Sequence, residues 1–101
     1  MQPSNPNEIV RAHIRVKGRV QGVGFRAHVE YHAGRIGNLT GWVRNVGWDT
    51  VECVAEGERI RVEQLLTFIK QGPSISRVDE CNVDYETPTG EFRGFGVKSS
   101  R

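Results

Sequence analysis

The sequence predicts an α+β domain with the element order β-α-β-β-α-β and one extra short strand at the C-terminal end. Three observations predict it: apolar and polar residues alternate from Val10 to Lys17, two later stretches carry apolar residues at helical spacing, and turn residues separate the segments. At 101 residues and 37% hydrophobic content the chain can bury one core, so a single active surface is expected. Residues 1–8, with two prolines, two asparagines and no apolar period, predict a disordered arm ahead of a domain over residues 9–101.

The first strand starts near Ile9. Val10, Ala12, Ile14 and Val16 point one way and Arg11, His13, Arg15 and Lys17 the other, the period of two of a strand with one wet face. After a glycine-rich turn, Phe25, Val29, Ala33 and Ile36 fall on one side of a helix that Gly37 and Asn38 stop. Leu39–Asn45 and Thr50–Gly57 read as a hairpin around the Val46-Gly47-Trp48-Asp49 corner. Glu58–Gln71 repeats the helical period through Val62, Leu65, Leu66 and Ile69 and ends at Gly72-Pro73. Arg77–Glu86 alternates through Cys81, Val83 and Tyr85, and Phe92–Val97 offers a last short strand.

This order is that of a ferredoxin-like α/β sandwich: an antiparallel sheet with two helices on one face and the other face wet. On the wet face Arg11, His13 and Arg15 are expected opposite Glu52 and Glu56, as exposed pairs contributing about 0.2–1 kcal/mol each.

The 14 basic and 12 acidic side chains, net charge +2, are interspersed, which neither demands nor excludes a nucleic-acid partner. No run approaches the ~18 apolar residues of a membrane span, and MQPSNPNE lacks the basic and apolar regions of a signal peptide. The expectation is a cytoplasmic monomer acting on a small molecule, with no membrane or nucleic-acid partner. Cys53 and Cys81 lack metal-binding spacing and read as small apolar residues in a reducing compartment.

The chemistry concentrates in the turn GRVQGVGFR, residues 18–26. A loop that feeds the start of a helix meets unpaired N–H groups and the positive end of the helix dipole. Glycines at 18, 22 and 24 allow successive amides to converge on one tetrahedral oxyanion such as phosphate, and Arg26 can add a planar fork of donors. The same residues also suit a plain tight turn followed by a solvated arginine.

Three rival sites fit less well. A nucleotide P-loop needs Lys-Ser/Thr after its last glycine, which is missing. Gly22-Val23-Gly24-Phe25-Arg26-Ala27 matches a loose dinucleotide pattern, but a hairpin follows where that fold needs a second crossover helix. Arg93-Gly94-Phe95-Gly96 opens like an RNA-binding signature but lies at the wrong end of the chain and lacks the later aromatics. His28 and His32, four apart, have no obvious third ligand and read as a surface pair rather than a zinc site.

GRVQGVGFR closely resembles the first signature of the acylphosphatase family. Gly41-Trp42-Val43-Arg44-Asn45, then Val51 and Gly57, resembles the second, and the likeness spans about residues 9–98. The resemblance implies that Gly18, Arg19, Val20, Gln21, Gly22, Val23, Gly24 and Phe25 cradle phosphate with backbone N–H groups. It further implies that Arg26 binds the phosphate, that Asn45 orients the attacking water, and that acyl phosphates are hydrolysed without metal or cofactor. A non-catalytic phosphate-binding regulatory module of the same fold is the alternative.

Two departures from the family pattern carry expectations of their own. Asp49 stands where the family usually has glycine, with a glycine at 47 instead, which predicts a reshaped turn and negative charge near the anion. The link from Gly37 to Gly41 is one residue longer than the common spacing; unless the loop absorbs it, Val43 and Asn45 flip to the other face. Trp48 at the hairpin tip suits either a shield or acyl contact for the site, or plain exposure.

Overall fold

The computed structural model describes residues 5–101. Its elements run β1 (Ile9–Arg19), α1 (Phe25–Ile36), β2 (Thr40–Val46), β3 (Thr50–Glu58), α2 (Arg59–Gln71), β4 (Arg77–Glu86) and β5 (Phe95–Val97). Each expected element is present, with small shifts at the ends. The sheet order is β4-β1-β3-β2-β5. β1 pairs antiparallel with β3 and β4, and β2 pairs antiparallel with β3.

β5 instead runs parallel to β2, with Gly41 opposite Phe95 and Val43 opposite Val97, which corrects the expected antiparallel sheet to a mixed one. The connection explains the direction. β4 ends with Glu86 beside Arg11, near the start of β1, and the chain then crosses to the far edge of the sheet. It enters that edge beside Gly41 and must run the way β2 runs. Among the described residues no helix is long and apolar enough to cross a membrane.

The alternation in β1 and the helical periods meet in one core. Ala12, Ile14 and Val16, with Val43, Val51, Cys53 and Ala55 from β2 and β3, pack with Phe25, Val29 and Ala33 of α1 and Val62, Leu65 and Ile69 of α2. Burial of each large apolar side chain contributes about 1.5–3 kcal/mol, so this stripe holds both helices on the sheet. Cys53 and Cys81 are free thiols, and burial, aided by the charge of Glu52, pushes the Cys53 thiol upward into an unreactive range.

The opposite face is drier than expected. Glu52 and Glu56 are only 6% and 4% exposed. The segment 87–94 reaches Glu56, to which Thr89 and Gly90 donate their N–H groups at 3.0 Å and Arg11 donates at 2.7 Å. The Arg11 guanidinium also lies 5.1 Å over the Phe92 ring. Glu52 lies 2.5 Å from His13 Nε2 and accepts from Arg44 Nε at 2.8 Å. Burial opposes the charge of both carboxylates. Hydrogen bonds from His13 and Arg44 to Glu52, and from Thr89, Arg11 and Gly90 to Glu56, outweigh it and hold both below the usual carboxylate range. The pairing itself is as expected, but these are not weak exposed pairs: the crossing segment covers Glu56, and His13 and Arg44 enclose Glu52.

Of the arm expected to be disordered over residues 1–8, residues 1–4 lie outside the described residues. Residues 5–8 form a turn closed by Glu8 N–H on the Asn5 carbonyl at 3.1 Å. Two carbonyls of this turn accept the first amides of α2: Arg59 N–H reaches Glu8 at 2.9 Å and Ile60 N–H reaches Pro6 at 3.0 Å. Open amides at a helix start supply the partners that composition alone did not reveal.

Candidate active site

β1 and β2 finish at the same end of the sheet, where α1 begins. Gly24 precedes the helix in the left-handed conformation (φ 79°, ψ 22°), and no side chain caps it. The first intrahelical bond is His28 N–H to the Gly24 carbonyl at 3.0 Å, so Phe25, Arg26 and Ala27 have amides without a helical acceptor. The start of α2 differs, since the turn at residues 5–8 occupies its first amides. An uncapped helix start concentrates positive potential on one point and favours an anion there. Gly22 is also left-handed (φ 72°), a conformation that a side chain would disfavour.

A cavity of about 290 Å³ opens at this end and brings together Val20, Gly22, Gly24, Phe25, Arg26 and Asn45. Asn45 arrives on β2, opposite Val51, two residues after the fully buried Val43. The extra residue in the preceding link is absorbed at Asn38, which takes a positive φ of 55°, so the pleat is not flipped. Backbone bonds steady the position: Arg101 N–H donates to the Asn45 carbonyl and Gly47 N–H to the Arg101 carbonyl, both at 2.9 Å.

The remaining loop positions do other work. Gly18 N–H donates to the Asp49 carbonyl at 3.0 Å, and a Cβ at 18 would sit 2.3 Å from the Arg77 carbonyl. This glycine serves a close approach to β4 at a register shift in β1, which corrects the expectation that its amide turns inward. The Gln21 side-chain amide donates to the carbonyls of Val46, Gly47 and Thr50 at 3.2, 3.1 and 2.9 Å, tying the loop to the hairpin. Gly18, Arg19 and Gln21 line a second cavity that meets the first at Val20, and Val23 is buried in the core.

Asp49 also lies on the second cavity. Its carboxylate accepts from Thr50 Oγ1 at 3.0 Å and lies 3.7 Å from Lys17 Nζ. In the turn, Gly47 takes a positive φ of 61° and Asp49 does not. His28 and His32 pair as expected, their half-buried rings 4.5 Å apart, and they also touch the second helix. His28 Nε2 lies 3.1 Å from the Phe68 carbonyl and His32 stacks on the Phe68 ring at 3.8 Å, so both belong to the α1–α2 contact. Phe95 packs against the core and offers no base-stacking platform.

Sequence reasoning missed three lining residues, Ala27, Glu30 and Val97. Glu30 stands one helical turn after Arg26, so spacing along α1 could have found it. Val97 reaches the cavity only because β5 pairs with β2, a long-range fact.

The sequence model of the acylphosphatase family matches residues 12–97. The chain belongs to this family. An acylphosphatase from Roseiflexus sp. (strain RS-1) is 46% identical over 90 residues, covering 89% of this chain and 96% of the relative. One from Thermococcus kodakarensis is 49% identical over 88 residues, covering 87% and 94%. The crystal structure of acylphosphatase from Bacillus subtilis superposes with a TM-score of 0.83 at 32% identity, covering 88% of this chain and 98% of that one. The acylphosphatase relationship thus extends over both signatures and the whole sheet.

Proposed function

We propose that this chain hydrolyses the carboxyl–phosphate bond of acyl phosphates, with Arg26 and the amides at the start of α1 holding the phosphoryl group and Asn45 orienting the water. The observation that carries this reading is that Arg26 and Asn45, nineteen residues apart in sequence, line one cavity at an uncapped helix start. An acyl phosphate expels a carboxylate, stable at neutral pH, so no general acid is required. What remains is to neutralise phosphoryl oxygens and align one water with the leaving oxygen.

A carboxamide is too weak a base to deprotonate water but fixes its direction by hydrogen bonds. The water oxygen bonds to phosphorus while the bond to the acyl oxygen breaks, and a phosphoryl oxygen takes a proton. A dianionic acyl phosphate and water thereby become a carboxylate and dihydrogen phosphate. The alternative of a non-catalytic module is not favoured, since it leaves the Asn45 carboxamide at the cavity without a task. A cytoplasmic monomer acting without membrane or nucleic-acid partners is part of the same proposal, supported by the dispersed charge and the small cavity.

The test is phosphate release from acetyl phosphate in ¹⁸O-water with a chelator present. Turnover with the label in phosphate, reduced about 10³-fold or more in Arg26→Ala, is expected. Label in acetate, or full activity in the variant, would contradict the mechanism.

A further inference from the structure

The phosphoryl cradle accounts for half of an acyl phosphate; the acyl half has to lie beside it. Across Val20, which borders both spaces, opens the larger cavity of about 500 Å³ formed by the outer side of the same loop, the hairpin tip and the start of β4. Its volume is in the range of small-molecule sites.

Trp48 stands on this cavity with 84% of its surface exposed, so plain packing does not explain it. An uncovered indole at a cavity rim presents a flat apolar face with a negative quadrupole, suited to stacking a planar group. Most of the charged groups around it are already paired. Asp49 is held by Lys17 at 3.7 Å and Thr50 at 3.0 Å, and Asp79 by Arg77 at 3.0 Å. Arg19 also lines the cavity, and among the described residues it enters no ion pair.

We infer that this cavity receives the acyl group, and that the chain prefers acyl phosphates with a flat, aromatic acyl group seated against Trp48 with its edge toward Arg19. The inference rests on the hydrolase reading and adds a substrate class to it. Trp48 is then a specificity-determining residue and takes no part in bond cleavage.

The experiment measures kcat/KM for benzoyl phosphate and for acetyl phosphate with the wild type, Trp48→Ala and Trp48→Phe. The benzoyl-to-acetyl ratio is expected to fall about tenfold in Trp48→Ala and to recover in Trp48→Phe, the size expected for losing one aromatic stack. A ratio unchanged or raised in Trp48→Ala overturns the inference while leaving the hydrolase reading intact. With the wild type alone, benzoate should inhibit acetyl phosphate hydrolysis several-fold more strongly than acetate; equal inhibition overturns it as well. No turnover of either substrate by the wild type overturns the hydrolase reading and this inference with it.

Discussion

The proposed mechanism gives Arg26 and Asn45 separate tasks, and substitution should separate them. A guanidinium supplies a planar fork to two phosphoryl oxygens, which an ammonium cannot reproduce, so Arg26→Lys should retain only a small part of kcat/KM for acetyl phosphate. Glu30 is a carboxylate facing the same cavity as an anionic ligand. Removing its charge in Glu30→Gln should tighten inhibition by inorganic phosphate about threefold, as expected for like charges near a solvated surface. An inhibition constant that is unchanged or weaker would show that Glu30 does not sense the anion. Arg26 and Asn45 were legible in the sequence because two short signatures mark them. Glu30 was not, because a carboxylate is unexpected beside an anion. The true task of Gly18 was hidden too, since its glycine answers the Arg77 carbonyl across the sheet, a contact no local pattern contains.

At the scale of elements, the segment 87–94 acts as a strap from β4 to β5, tied to β3 through Glu56. Glu56→Gln leaves Arg11 and two strap amides with a weaker acceptor and should destabilise the fold by about 1–3 kcal/mol in urea unfolding. Two acid-side effects on stability can be told apart. Glu52 and Glu56 have folded pKa values below the usual carboxylate value, so their contribution is complete above that value and is lost as pH falls through and below it. His32 is lowered by burial first, then by His28 and Arg35, so the unfolded chain takes up its proton first. Its effect is complete above the ordinary histidine value near 6.5 and stability declines as pH falls below it. His32→Phe, which keeps a ring against Phe68, should flatten the decline near pH 6 and leave the steeper loss near pH 4. A urea-midpoint profile identical to wild type between pH 7 and 5 would show that His32 does not titrate with folding. The elements themselves were readable because apolar periods of two and of three to four are local; the strap and the direction of β5 were not, because pairing partners are set by the whole sheet.

The whole molecule brings three distant segments to one end: the turn after β1 running into the first turn of α1, the end of β2 and the C-terminal strand. The sheet positions Asn45, the helix start supplies open amides, and Gln21 ties loop to hairpin. Binding and chemistry should therefore come apart when only the water-orienting group is removed. The most direct measurement is kcat for acetyl phosphate alongside the inhibition constant for inorganic phosphate in Asn45→Ala. The expected result is a fall in kcat of about 10²-fold or more with phosphate affinity within about threefold of wild type. Retained kcat, or a loss of phosphate affinity as large as the loss of kcat, would contradict the assignment of Asn45 to the water and of the anion to Arg26 and the helix start.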